Sequence, residues 1–220
     1  MSKLITAVVP VRAGSQRVKN KSIKPFVDTT LLDLKLKSLS KIKTLDRIIV
    51  STDSPQAKVI AEKYNVEIHD RDPYFASSEC TNSEFFENIA TFVECGHILY
   101  APVTAPMILE STYYDFINRY SFCTSNNLVT TGLIKKHLWL GGEPLNYDIK
   151  SSPNSQDLPN IMEINYGLGL ISKELLEESK NIVSSNPTFY LLEEDEGVDI
   201  DTPLDFEFAE FLYKRKNNIK

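Results

Sequence analysis

The hydrophobic pattern of the first 131 residues alternates between two periods. Leu4–Val11 is an apolar run rich in β-branched residues that stops at Arg12-Ala13-Gly14-Ser15, and it predicts a buried strand. Leucines at 31, 32, 34, 36 and 39 fit a helix over Leu31–Ile42. Arg47–Ser51 is a second buried strand, and Ser54 starts a helix over Pro55–Tyr64. Val66–His69, Ser83–Val93, Ile98–Ala101, Glu110–Tyr120 and Leu128–Thr131 continue the alternation as strand, helix, strand, helix and strand. Strands separated by helices predict βαβ units, hence an α/β fold with a mainly parallel sheet and helices on both faces. Ligands of such sheets bind beyond the carboxyl ends of the strands.

The pattern changes after that. Residues 136–165 carry two adjacent glycines, three prolines and many Asn, Asp and Ser, which predicts an extended arm inserted into the domain. Tyr166–Ile171 returns to a strand pattern. Pro203–Lys216 closes the chain as an amphipathic helix whose Lys214-Arg215-Lys216 suits the negative end of its dipole. The expectation is one domain over 1–220 with an arm at about 136–165.

Composition narrows the function classes. Lys and Arg number 24 against 30 Asp and Glu, a net charge of −6, which argues against a nucleic-acid or membrane-surface binder. Cys80, Cys95 and Cys123 are odd in number and widely spaced, which argues against a disulfide framework and a cysteine zinc site. The apolar run near the N-terminus is too short for a secretory core, and no stretch approaches the roughly 20 apolar residues of a membrane span. The expected location is the cytoplasm. His69, His97 and His137 share no metal-ligand spacing and are expected to be structural.

Within this acidic chain the charges are unevenly placed. Arg12, Arg17, Lys19, Lys21 and Lys24 put five cations into residues 12–24, directly after the first strand and around small residues at 13–15. Small residues let backbone N–H groups approach phosphate oxygens and the cations neutralise them, so this loop predicts polyphosphate binding. It is neither a Walker A nor a dinucleotide fingerprint. Near the other end, Asp199-Ile200-Asp201-Thr202-Pro203 places two carboxylates at i and i+2. In an extended segment both point the same way and can reach one hard cation. The same segment also reads as a helix cap with Pro203 at the first position. Ser51-Thr52-Asp53-Ser54 follows the second strand, with Ser54 or Asp53 as a helix cap, or Asp53 orienting a ligand or the loops at the end of the sheet. Glu193-Glu194-Asp195-Glu196 reads as a solvated acidic turn, and Trp139 and Tyr147 as packing or interface aromatics of the arm. A triphosphate loop together with a carboxylate pair for Mg²⁺ supplies the parts of nucleotidyl transfer.

These residues resemble the acylneuraminate cytidylyltransferases, enzymes that activate nonulosonic acids such as sialic acid as CMP-sugars; CMP-Kdo synthetases are relatives. Arg12, Gly14, Ser15, Arg17 and Lys21 match that family's first loop, with Gln16, Lys19 and Ser22 departing from it. Ser51–Ser54 match its S-T-D-[DS]. Arg71, Phe75, Ala76 and Ser77 match the segment that lies over the cytosine, followed by Thr81-Asn82-Ser83. Thr104 and Pro106 match a segment whose acceptor-side Gln is Pro102 here. Gln156, Leu158 and Pro159 match the family's dimer arm, with Ser155 where a basic residue often stands, and Tyr166 replaces an Asn. Asp199–Asp205, with Ala209-Glu210, match the closing motif.

The resemblance implies a three-layer, Rossmann-like nucleotide-diphospho-sugar transferase fold in a homodimeric enzyme of surface polysaccharide biosynthesis. The reaction it implies takes CTP and an acid sugar to CMP-sugar and pyrophosphate, with Mg²⁺. It implies a nucleotide site of Arg12, Ala13, Gly14, Ser15, Arg17, Lys21, Arg71, Ala76 and Thr81, with Arg12, Lys21 and Asp201 catalytic. It further implies acceptor contacts at Thr104 and Gln156, and Asp199 and Asp201 as metal ligands. A Kdo-type or other acceptor, and a nucleotide-binding homologue without turnover, stand as alternatives.

Overall fold

A computed structural model describes residues 4–15, 17–94 and 96–219; Met1–Lys3, Gln16, Cys95 and Lys220, and with them the expectations placed on Gln16 and Cys95, lie outside the described residues. In chain order the strands are β1 (Ile5–Val11), β2 (Pro25–Phe26), β3 (Thr29–Thr30), β4 (Arg47–Thr52), β5 (Glu67–Asp70), β6 (His97–Tyr100), β7 (Asn127–Ile134), β8 (Trp139–Leu140), β9 (Glu143–Pro144), β10 (Ile161–Ser172) and β11 (Thr188–Leu191). The α-helices are α1 (Leu31–Leu39), α2 (Pro55–Ala61), α3 (Asn82–Phe92), α4 (Glu110–Ser121), α5 (Lys173–Ser179) and α6 (Pro203–Asn217).

Seven strands form one sheet in the order β11-β7-β10-β6-β1-β4-β5. β1 pairs in parallel with both β4 and β6, β4 with β5, and β7 with β11; β10 is antiparallel to both of its neighbours. The parallel strands therefore send their carboxyl ends, and the loops that follow them, to one edge of the sheet. β1 is the switch point, because the chain moves to β4 on one side of it and to β6 on the other.

Strand periodicity assigns the layers. Ala7, Val9 and Val11 of β1 pack into one core with Leu31, Leu32, Leu36 and Leu39 of α1, Ala57 of α2, Phe116 of α4 and Phe206 of α6. Val8 faces the other way, into a smaller core with Phe86 and Ile89 of α3 and Leu176 of α5. Successive side chains of a strand alternate faces, so a single apolar run serves both layers. The four α1 leucines are fully buried, and burial on that scale contributes about 1.5–3 kcal/mol per side chain.

Two stretches differ from the sequence expectation. β10 begins at Ile161 rather than at Tyr166, because Ile161–Ile164 pair with Thr131–Ile134 of β7. The arm's last residues are thus strand, and the segment at 135–160 is carried at the tip of a β7–β10 ribbon. Within it, Gly141 and Gly142 have φ of 60° and 91°, which a two-residue turn between β8 and β9 requires and other residues rarely adopt. Trp139 and His137 pack edge-on against Tyr147, so these aromatics pack on one another, while Trp139 stays half exposed. The second difference is α5 and β11, which occupy a stretch without a sequence-assigned element. Asn127 secures the chain between them: its amide donates to the Ile182 carbonyl at 2.9 Å and its oxygen accepts from Ser184 N at 2.8 Å.

Candidate active site

The loop after β1, the loop after β6, the turn after β5 and the segment before α6 converge on a cleft of about 380 Å³ at the carboxyl edge of the sheet. Arg12, Ser15, Arg17 and Lys21 line it, and so do Asp199 and Asp201. Residues from opposite ends of the chain thus share one wall.

The local reasons are visible in the backbone. Gly14 has φ of +74°, and a Cβ there would meet nothing within 4 Å, so the residue is glycine for its backbone conformation rather than for space. Asp53 Oδ1 accepts from Ala13 N at 2.8 Å and ties the β1 loop to the end of β4. Ser54, not Asp53, caps α2, accepting from Ala57 N at 3.3 Å. Ser54 thus takes the cap, and Asp53 orients a loop at the end of the sheet. At the other end, Thr202 and Asp205 form a capping box with Pro203 inside the first turn of α6. Asp205 also accepts from Asp201 N at 3.1 Å. The cap leaves the Asp199 and Asp201 side chains free for the cleft.

Arg17 donates to Asp201 Oδ1 at 3.0 Å, and Lys21 Nζ lies 3.7 Å from the same oxygen. Lys21 also donates to the Ile200 carbonyl, which fixes its ammonium beside both aspartates. Burial lowers the Lys21 pKa, with Asp201 and Asp199 opposing the shift. Burial raises the Asp199 pKa, against a hydrogen bond from the Thr104 side chain. Arg17 and Asp201 are both well exposed, and pairs of that kind contribute at most about 1 kcal/mol, so an incoming anion can exchange them at small cost.

Aromatic side chains also wall the cleft: Phe75, Phe85, Tyr100 and Tyr166 line it, together with Cys80 and Pro102. Tyr100 is the last residue of β6, and Tyr166 holds φ of +52° where the β7–β10 register shifts. Arg71 lies beneath this wall, only 4% exposed, donating to the Val11 carbonyl with its guanidinium 5.6 Å from the Phe85 ring. Its Nε is buried without a hydrogen-bond partner among the described residues. Burial is also the main cause that lowers its pKa.

The cleft does not gather every expected residue. Its lining includes Thr104 but not Ala13, Gly14, Ala76, Thr81 or Gln156. The Ala13 N–H is already used by Asp53. Thr81 is the N-cap of α3, in a capping box with Glu84. Ala76 ends a short 3₁₀ turn, and Gln156 sits exposed on the arm, where its carbonyl accepts from Lys135 Nζ at 3.4 Å. Phe85 and Tyr100 were not expected. A polar-tipped aromatic closing a parallel strand is the signal that points to Tyr100. Glu196 corrects the reading of a solvated acidic turn: it is 4% exposed and accepts from Leu109 N at 3.1 Å and Thr112 Oγ1 at 2.9 Å. It caps α4, whose own N-cap residue, Leu109, offers no side-chain bond. The histidines contact protein groups in three separate places. His69 stacks on Phe92 at 3.8 Å, His97 Nδ1 lies 2.8 Å from the Tyr120 hydroxyl, and His137 Nε2 lies 3.0 Å from the Pro153 carbonyl. No described helix is long and apolar enough to cross a membrane.

A family model described as Cytidylyltransferase matches residues 6–95, the stretch that carries β1, the cationic loop and the Arg71 turn. Post-translational flagellin modification protein B of Campylobacter coli is 23% identical over 99% of this chain and 97% of its own length. The N-acylneuraminate cytidylyltransferase of Escherichia coli O18:K1:H7 is 23% identical over 100% of this chain and 54% of its own length. CMP-N,N'-diacetyllegionaminic acid synthase of Campylobacter jejuni is 23% identical over 97% of this chain and 96% of its own. Among solved structures, CMP:2-keto-3-deoxy-manno-octonic acid synthetase complexed with CTP superposes with a TM-score of 0.71 at 13% identity, covering 97% of this chain and 99% of that one. The 4-diphosphocytidyl-2C-methyl-D-erythritol synthase of Anaerococcus prevotii gives 0.68 at 17% identity, covering 98% and 100%. The chain has the Rossmann-like fold of these proteins, and along nearly its whole length its sequence resembles the acylneuraminate-type cytidylyltransferases.

Proposed function

We propose that this chain is a cytidylyltransferase that joins CTP to an acid sugar of the nonulosonic class, giving CMP-sugar and pyrophosphate. One observation carries the reading: three cations and two carboxylates from opposite ends of the chain share one cleft with an aromatic wall and a buried arginine. The curated relatives and the family match support it.

In this reading Arg12, Arg17 and Lys21 hold the triphosphate, and Arg71 with its aromatic neighbours takes the base. The anomeric hydroxyl attacks the α-phosphorus in line, its proton passing to solvent base. The α–β phosphoanhydride bond breaks and pyrophosphate leaves. Arg12 and Lys21 neutralise the charge that grows on the departing oxygens, and positioning supplies most of the rest. Arg17 leaves Asp201 for phosphate as the nucleotide enters, which opens the aspartate.

Among the described residues no group of three or more His, Cys, Asp or Glu could hold a metal by itself. Two carboxylates completed by substrate phosphates are nonetheless the donor set Mg²⁺ commonly takes, so Asp199 and Asp201 fit that ion. When bound, it would withdraw charge from the reacting phosphate. Trp139, Leu140, Leu145 and Ile149, all exposed on the arm, suit a homodimer contact. The same reading makes the protein a cytoplasmic enzyme.

The test is pyrophosphate release from CTP and Mg²⁺ with a panel of acid sugars that includes Kdo. Release with one of them is expected; silence across the panel with CTP binding intact overturns the catalytic reading. Asp201→Ala should lower kcat by about 10³-fold or more with the folded state retained. Retained activity would remove Asp201 from the machinery.

A further inference from the structure

One fully buried lysine lies outside the lining of the cleft and makes no salt bridge among the described residues. Lys35, on the inner face of α1, is 2% exposed. Its ammonium donates to the Ala105 carbonyl at 2.9 Å and to the Tyr113 hydroxyl at 2.8 Å, and it lies 5.5 Å from the centre of the Tyr113 ring. Burial pulls its pKa down to about 7, with Asp199 opposing the shift. A buried ammonium whose hydrogen-bond partners are a carbonyl and a hydroxyl is costly, and a leucine or methionine would fill an α1 core position more cheaply. The position therefore needs an explanation beyond packing.

The neighbour of Ala105 gives one. Thr104 lines the cleft, and its carbonyl accepts from Ile200 N at 2.9 Å. Ile200 stands between the two aspartates, and its own carbonyl accepts from Lys21. Two hydrogen bonds, joined by the backbone from Thr104 to Ala105, thus link Lys35 through the loop after β6 to the Asp199–Asp201 segment. The geometry points to Lys35 as a positioning residue: it anchors the loop after β6 at Ala105, and that loop sets where Thr104 holds Ile200, the residue between the two aspartates. The catalytic consequence rests on the cytidylyltransferase reading above; the anchoring itself does not.

Lys35→Met removes the donor and keeps an unbranched apolar stem for the buried slot. Amide hydrogen exchange is read at Ile200, with Ala101 N, which donates to Val8 O at 3.0 Å inside the sheet, as the reference. The expected result is exchange at Ile200 faster by about tenfold with Ala101 unchanged. In the transfer assay kcat should fall about tenfold while KM for CTP stays within about twofold. Lys35→Gln keeps a donor one bond shorter and should recover part of both losses. Tyr113→Phe leaves the Ala105 bond in place and should leave Ile200 protected. If Lys35→Met loosens all amides together, Lys35→Gln decides: Ile200 loosening ahead of Ala101 supports the role, and uniform loosening overturns it. Unchanged Ile200 exchange in Lys35→Met also overturns it. Faster Ile200 exchange in Lys35→Met beside a wild type that releases no pyrophosphate would fail the cytidylyltransferase reading and leave the anchor standing.

Discussion

The two walls of the cleft are built by different rules. The charged wall comes from two short segments, residues 12–21 and 199–201, each with a charge pattern that stands out in an acidic chain. The aromatic wall comes from four separate places: Phe75 on a 3₁₀ turn, Phe85 on α3, Tyr100 at the end of β6 and Tyr166 at the register shift of β10. Cations and carboxylates stay out of cores unless paired, so their clustering near a strand end already signals a ligand. An aromatic residue belongs to a core by default, and only its position in space moves it to a site. Equal occupancy of the cleft therefore does not mean equal visibility in sequence.

The contrast can be broken by substitution. Lys21→Met removes a cation that is fixed to the Ile200 carbonyl beside Asp201, and kcat/KM for CTP should fall about 10²-fold, with thermal stability close to wild type. A loss confined to the acceptor KM would place the triphosphate elsewhere. Tyr166→Gly tests the other wall. It removes the ring and eases a backbone held at φ of +52°, so KM for CTP should rise about tenfold while kcat stays within about twofold and stability is unchanged or higher. A fall in kcat as large as that of Lys21→Met would erase the division between the walls. Glu196→Gln, outside both, sharpens it. Activity should stay within about twofold, while denaturant unfolding loses about 1–2 kcal/mol as the α4 cap weakens. An activity loss as large as that of Lys21→Met would show that the cap reports to the cleft.

The fold was legible where periodicity is strong. The predicted strands at Leu4–Val11 and Arg47–Ser51 match β1 and β4 to within a residue, because a short apolar run between turn residues has few other uses. The arm's end was misplaced because Ile161–Ile164 owes its strand state to pairing with β7 rather than to a pattern of its own. β11 was missed for the same reason: its four residues lie at the sheet edge, and Asn127 tethers the chain that leads to them. In the site, Thr81 and Ala13 are expected at the nucleotide but are taken up by hydrogen bonds to Glu84 and Asp53, which no motif reports.

Alone, then, the sequence determined the alternation of elements, the cationic loop, the carboxylate pair and the family these resemble. Those properties depend on residues close together along the chain, where spacing is geometry. The tertiary structure decided which charges meet. It brought Arg17 and Lys21 to Asp201 across about 180 residues of chain, turned Glu196 inward as a helix cap, and set Lys35 behind the loop that holds Ile200. Such contacts follow from sheet order and burial, and a linear pattern carries no record of either.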